Sequence, residues 1–276
     1  MRILILSDSY ETGGGAAQIA RLMAEEFKNR SHNVMVVTST QNKTDASIIP
    51  ITEVNKNNDI PVYYIYSYYN LFWRAYRGLY NPQTVKAVRK IIDDFKPDII
   101  HAHNIHSYLS YSALKIAKKS GAKVFLTAHD VQLFHYGKLT EFINPENLSC
   151  PENFNYKIGM WKQIKRYGKT YNPLRNGIIR HYLKYVDKII AVSNALAEAL
   201  TQNGISNIAV IHNGIDIAGW QSDKNNVDEF KKKYNLIEKK IILFGGRLSE
   251  TKGGREIVLA MERITKEVPD AYLMVL

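Results

Sequence analysis

Lys240-Ile241-Ile242-Leu243-Phe244-Gly245-Gly246-Arg247-Leu248-Ser249-Glu250-Thr251-Lys252-Gly253-Gly254 is the stretch on which the fold turns. The apolar run from Lys240 to Phe244 reads as a buried parallel strand, and Ile257, Met261, Ile264 and Val268 recur at helical spacing behind it. Arg247 and Lys252 therefore fall in a strand-to-helix loop. Backbone N–H groups, the positive end of a helix dipole and two cations would converge there on an anion, for which a diphosphate is the natural candidate. Solvated surface charge flanking a glycine turn is the plainer reading, and this stretch alone leaves both open.

The same alternation runs through the rest of the chain. Strands are expected at Arg2 to Ser7, Asn33 to Thr38, Pro61 to Tyr66, Asp98 to Ala102, Ala122 to Thr127, Lys188 to Val192, Ile208 to Ile211 and Ala271 to Leu276. Helical patterns lie between several of them, at Ala16 to Asn29, Thr84 to Phe95, Tyr108 to Lys119 and Ala195 to Asn203, the last after a Ser193-Asn194 start signal. Such alternation means an α/β fold, a doubly wound parallel sheet with helices on both faces. We expect a first domain over residues 1–213, a polar linker over 214–238, and at 239–276 only the first β-α-β elements of a second domain. Three elements cannot close a core of normal size, so the chain reads as an enzyme cut inside its second domain. Gln41 to Asn58 reads as a mobile polar loop.

Composition sets outer bounds. Hydrophobic residues make up 45% of the 276 and charged residues 23%, ordinary for a soluble globular protein. One cysteine, Cys150, excludes an internal disulfide. The opening Met1-Arg2-Ile3-Leu4-Ile5-Leu6 is too short for a signal-peptide core, and no apolar stretch approaches the roughly twenty residues of a membrane span. The net charge of +11 calls for an anionic partner. Much of the excess lies between Lys157 and Lys188, where Lys162, Lys165, Arg166, Lys169, Arg175, Arg180 and Lys184 mix with Trp161, Ile164, Tyr167, Tyr171, Leu174, Ile178, Ile179, Tyr182 and Leu183. That mixture suits a surface resting on lipid headgroups, with the aromatic cluster from Tyr63 to Tyr80 beside it. A partly buried helical hairpin with snorkelling basic tips explains it equally well. Nucleic acid is disfavoured, because no recognisable binding module accompanies the charge.

Three segments could carry chemistry. Thr12-Gly13-Gly14-Gly15-Ala16 opens a helix after the first strand, where glycines let backbone approach an anion, or serve only a tight turn. The spacing is not the dinucleotide fingerprint, and Thr38-Ser39-Thr40-Gln41 lacks the acid that would hold an adenosine ribose. His101-Ala102-His103-Asn104-Ile105-His106 ends the fourth strand, with His101 and His103 on one face. A zinc hydrolase could use that pair with His129, Asp130, His135 or His181, although barrel hydrolases of this kind carry it on their first strand. For His101 and His106 the plain reading is a hydrogen-bonded, half-buried side chain. Thr127-Ala128-His129-Asp130 ends the fifth strand, where His129 would face the same crevice and hydrogen-bond a sugar hydroxyl or phosphate oxygen. Asp130 would orient it or cap the next turn. No Asp-x-Asp occurs, which argues against a metal-clamped nucleotide site.

Together these segments resemble family 4 glycosyltransferases of the GT-B type, built from two Rossmann-like domains. Gly13-Gly14-Gly15, Pro97 to His103, Thr127 to Asp130, and Ile211-His212-Asn213-Gly214-Ile215-Asp216 leading to Gly246 through Gly253 carry the resemblance, in the family's order and over nearly the whole chain. It implies transfer of a hexose from a nucleotide diphosphate sugar, with retention of configuration, to a glycan or lipid-linked acceptor in cell-envelope polysaccharide synthesis. It implies catalytic roles for His129, Arg247 and Lys252, the two cations holding the diphosphate together with the glycine-loop backbone. Gly13, Gly14, Gly15, His103, Asn104, Asp130, Ser193, Asn213 and Gly214 would bind substrate. No cofactor or metal is expected, and no nucleic acid. The expected place is the cytoplasm, at the inner face of the cytoplasmic membrane, with that anionic surface a candidate partner. His212 stands where the family often has proline, and the family's glutamate pair and returning C-terminal helix would lie beyond Leu276. A sugar-nucleotide epimerase or glycogen-synthase-like enzyme shares the fold; a metal hydrolase or a non-catalytic fragment are the rivals outside that reading.

Overall fold

The computed structural model describes residues 1–11, 14–43, 51–53 (backbone), 60–142, 154–217, 219, 224–246, 248–249 and 252–276. They fall into two compact units, Met1–Gly214 and Ile215–Leu276.

The first unit is built on one sheet. Its strands are β1 (Arg2–Leu6), β2 (Asn33–Thr40), β3 (Ile51–Glu53), β4 (Ile60–Tyr66), β5 (Ile99–Ala102), β6 (Lys123–Ala128), β7 (Lys188–Ala191) and β8 (Ile208–Val210). They lie in the order β3-β4-β2-β1-β5-β6-β7-β8. All neighbours are parallel except β3, which runs antiparallel to β4 at the edge. From β1 the chain winds outward to β4, then crosses back to β5 and winds the other way. The strand order thus reverses between β1 and β5, and loops at their carboxyl ends diverge to leave a crevice.

Strands buried on both faces read as continuous apolar runs, and Ile3, Leu4, Ile5 and Leu6 are all buried. Their alternation feeds two cores. Ile5 joins Val34, Val36 and Val62 under Ala20 and Ala24 of α1 (Gly15–Asn29). Leu4 and Leu6 join Ile100, Leu126 and Ile189 with Val88 and Ile92 of α3 (Pro82–Phe95), following the short α2 (Arg74–Arg77). Leu114 of α4 (Ser112–Lys119), Ile179 of α6 (Arg175–Leu183) and Leu200 of α7 (Asn194–Gln202) extend that second core. Each such side chain contributes about 1.5–3 kcal/mol on burial. A third, smaller core joins Ala75 of α2 to Tyr136, Tyr171 and the inner face of α5 (Met160–Tyr167) through Ile164 and Tyr167.

One choice that the sequence leaves open narrows here toward the partly buried hairpin, and two readings are revised. Most apolar side chains between Lys157 and Lys188 are core rather than surface: Ile179 and Tyr171 are buried, and Ile178, Tyr182 and Leu183 pack on the main core. Arg175 is buried as well, its guanidinium donating to the Gln132 carbonyl, because helical spacing turns that side of α6 inward. The segment read as a linker carries α8 (Lys224–Lys233). Most of the loop expected at Gln41 to Asn58 lies outside the described residues, but β3 falls within it, paired with β4 through Ile51↔Val62.

The second unit adds β9 (Lys240–Phe244), α9 (Gly254–Glu267) and β10 (Ala271–Val275), a β-α-β unit with parallel strands. Gly254 is required sterically, since a Cβ there would lie 2.7 Å from the backbone of Leu248 and Ser249.

Candidate active site at the carboxyl edge of the sheet

β1, β5 and β6 are neighbours, so the glycine loop, His103 and His129 all emerge on one edge. β5 delivers His101 and His103 on the same face, as the period of two requires, and their rings stack with centroids 4.6 Å apart. His101 Nε2 lies 2.8 Å from Thr127 Oγ1. His103 Nδ1 lies 2.9 Å from His129 Nε2, and these rings also stack, at 5.2 Å. The three imidazoles form one ladder from the buried strand to the half-buried His129. Burial lowers all three pKa values, His101 to about 4 and His103 well below its ordinary value; like-charged neighbours reinforce this for His101 and His103, while Asp130 opposes it for His129. They are neutral at pH 7.

The glycine loop differs from the Gly254 turn. Gly14 is the N-cap of α1 in extended conformation, with no side-chain cap. A Cβ on Gly14 or Gly15 would meet nothing within 4 Å, and both are exposed, so the described packing does not demand glycine at either. That favours close approach by an outside group over a purely structural turn. Gly13 and Arg247 lie outside the described residues. Lys252 is exposed just ahead of α9, in the second unit.

Other expected residues have local roles. The Asn104 carbonyl accepts from the Asp8 N–H at 2.9 Å. The Asp130 carboxylate accepts from Gln132 N–H at 2.8 Å, holding the turn after His129. Ser193 caps α7, its hydroxyl accepting from Leu196 N–H. Asn213 and Gly214 are exposed beyond β8. Of the histidines suggested to complete a zinc shell, His129 lies against His103 but the other two are directed elsewhere: His135 Nε2 lies 3.2 Å from Glu141 Oε1, and His181 packs on Tyr182 and Tyr185. Among the described residues, no group of three or more His, Cys, Asp or Glu is placed to hold a metal ion.

Sequence reasoning passed over Asp8. It lies two residues beyond β1, beside the crevice, and its carboxylate accepts from the N–H groups of Ser107, Tyr108 and Leu109 at 2.7, 3.0 and 2.7 Å. The loop leaving His103 is thereby tied to β1.

The profile of Glycosyltransferase Family 4 matches residues 13–218, which take in the Gly14-Gly15 helix start, His101, His103 and His129. The chain belongs to glycosyltransferase family 4. The "Putative glycosyltransferase YtcC" of Bacillus subtilis (strain 168) is 38% identical over 71 residues, 24% of this family 4 chain and 17% of its own length. A Klebsiella pneumoniae protein, "Uncharacterized 42.6 kDa protein in cps region", is 27% identical over 205 residues, covering 69% of this chain and 48% of its own. Among solved structures, Anabaena Alr3699/HepE in complex with UDP and glucose shares the fold with TM-score 0.61 at 18% identity, over 99% of this chain and 60% of HepE. Sucrose-phosphate synthase from Thermosynechococcus elongatus does so with TM-score 0.64 at 16% identity, over 99% and 61%. The chain therefore spans at most about half the length of these curated relatives and about three fifths of these structures. Among the described residues no helix is long and apolar enough to cross a membrane.

Proposed function

We propose that the site serves retaining transfer of a hexose from a nucleotide diphosphate sugar to a glycan or lipid-linked acceptor in cell-envelope polysaccharide synthesis. The observation that carries this reading is the histidine ladder ending in a half-buried His129 on the same sheet edge as the exposed Gly14-Gly15 helix start. Family membership and a fold shared with a protein solved in complex with UDP and glucose support it. In the proposed reaction the bond from the anomeric carbon to the leaving phosphate oxygen breaks while the acceptor oxygen bonds that carbon on the same face. The acceptor proton passes to the leaving phosphate, so no protein nucleophile is needed. His129 contacts the sugar or its phosphate; Arg247 and Lys252 stabilise the diphosphate charge in place of a metal.

The test is turnover of UDP-glucose and other nucleotide sugars by full-length native protein in the presence of a chelator, with product configuration read by NMR. We expect release of the nucleoside diphosphate and retained configuration, with His129→Ala slowing kcat by about a hundred- to a thousand-fold. Failure to bind any nucleotide sugar, or unchanged turnover in that variant, would overturn the reading.

We further propose that this reaction takes place at an anionic membrane. Leu71, Phe72, Trp73 and Tyr76 are exposed around α2, Met160 and Trp161 are exposed on α5, and the shared Tyr136 core holds the two segments together. Arg77, Lys162 and Lys165 lie among them. Flotation with anionic vesicles at low salt should carry the protein upward, and protein that stays with the soluble fraction removes the membrane from this proposal.

A further inference from the structure

A single proton lies between His103 Nδ1 and His129 Nε2, and its owner decides what His129 offers a ligand. The separation of 2.9 Å requires one nitrogen to donate and the other to accept. If His129 Nε2–H donates, neutral His103 carries its own proton on Nε2. That atom is buried and has no hydrogen-bond partner. If His103 Nδ1–H donates instead, its Nε2 is a bare lone pair and His129 carries its proton on Nδ1. An orphaned buried N–H is the rarer of the two kinds of buried unpartnered group, an under-satisfied acceptor the more tolerated.

We propose that His103 is a positioning residue that locks His129 in its Nδ1–H tautomer, so that His129 presents a neutral N–H donor to an oxygen lone pair in the crevice. His129 Nδ1 has no partner among the described residues and is not one of the buried unpartnered atoms, so it is open to solvent. The ladder fixes the ring planes: His101 is anchored on Thr127 Oγ1, and the interplanar angles along the stack are 28° and 24°. Burial keeps the imidazoles uncharged, which removes the alternative of two N–H groups on one ring. The chemical consequence is specific. Through Nδ1, His129 donates to a phosphate oxygen or sugar hydroxyl, and it has no free lone pair with which to take the acceptor's proton. The ligand's identity rests on the proposed function; the tautomer does not.

The test is long-range ¹H–¹⁵N correlation on histidine-labelled native protein at pH 7. We expect protonated Nδ1 and bare Nε2 on both His103 and His129. Protonation of His129 at Nε2, or of both its nitrogens, overturns the proposal. His103→Leu should release His129 to the Nε2–H form that free histidine prefers, and should weaken UDP-glucose binding about tenfold. His103→Asn, which keeps a donor near the place of Nδ1, should preserve both the tautomer and the affinity. A His103→Leu protein whose His129 keeps its Nδ1 proton removes the positioning role; if that variant does not fold, the parent spectrum and His103→Asn still decide. If the tautomer is as expected and UDP-glucose leaves the His129 signals unmoved, the tautomer stands and the proposed ligand falls.

Discussion

Asp8 holds three successive backbone N–H groups about a hundred residues further along the chain, and asparagine could not replace it. One of its carboxylate oxygens accepts from Tyr108 and Leu109, the other from Ser107. An amide would turn an N–H toward one of those donors, so Asp8→Asn should cost about 1–3 kcal/mol in chemical denaturation; a variant as stable as the parent would show that these bonds contribute nothing net. His101 gives a second prediction at this scale. Burial lowers it to about 4 from an ordinary 6.5, so between those values the unfolded chain binds a proton that the native ring refuses. Its contribution is fully present above about pH 6.5 and shrinks as pH falls toward 4, by about 3 kcal/mol in all. Burial pushes Asp8 up to about 7, against the pull of its three N–H donors, and this acts with the opposite sign, stabilising at low pH and fading as pH rises through that value. Comparing the parent with His101→Gln, which can still bond Thr127, isolates the histidine: the parent's advantage should fall steadily between pH 6.5 and 4, and a flat difference would exclude titration of His101. The histidines were legible because strand-end motifs and a period of two announce them. Asp8 was not, since Ser7-Asp8-Ser9 has neither pattern nor motif and its partners are remote in sequence.

Around the site, elements are held by close backbone approach. Gly78, at the end of α2, lies against the loop that carries Asp8's partners: a Cβ there would stand 2.2 Å from the His106 carbonyl oxygen and 2.9 Å from that of Arg74. Its own carbonyl accepts from Tyr111 N–H, and the next one from Ser112 N–H at the start of α4. Gly78→Ala must therefore push two elements apart, and we expect a loss of about 1–3 kcal/mol in thermal unfolding, with shifted backbone signals at Ser107 to Leu109. A variant with parental stability and spectrum would mean that the loop yields freely. The same loop explains why periodicity starts helix α4 four residues too early. Tyr108 to Tyr111 have a helical look in sequence, but Tyr108 and Leu109 give their N–H groups to Asp8 and Ser110 takes a positive φ of 66°, so the helix starts at Ser112. Periodicity sees side chains, and here the competing partner is a carboxylate from another element. It also misses α8, whose described apolar residues, Val227 and Phe230, are both exposed and form no core-facing stripe.

At the scale of the molecule the two units differ in how completely they bury what they carry. Met1–Gly214 holds an eight-stranded sheet with helices on both faces and three apolar cores. In Ile215–Leu276, β9 and β10 form a two-stranded sheet, and Ile241, Leu243 and Tyr272 on one of its faces are exposed, as are Val258 and Leu259 of α9. Two strands with α9, and with an α8 whose described apolar residues Val227 and Phe230 are both exposed, bury too little to be stable by themselves. The alternation of strand and helix patterns made both units readable in sequence, but it could not rank their stability, because burial depends on how many elements share a core. Residues 1–214 expressed alone should fold and melt in one cooperative transition, with an unfolding enthalpy of about 150 kcal/mol at roughly 0.7 kcal/mol per residue. Residues 215–276 alone should show no cooperative transition. The 276-residue chain should also bind a hydrophobic dye more strongly than residues 1–214, because the open sheet face goes with the second unit. A broad, weak transition for 1–214 would show that the second unit is part of the first unit's cooperative structure, and the argument from separate cores would fail.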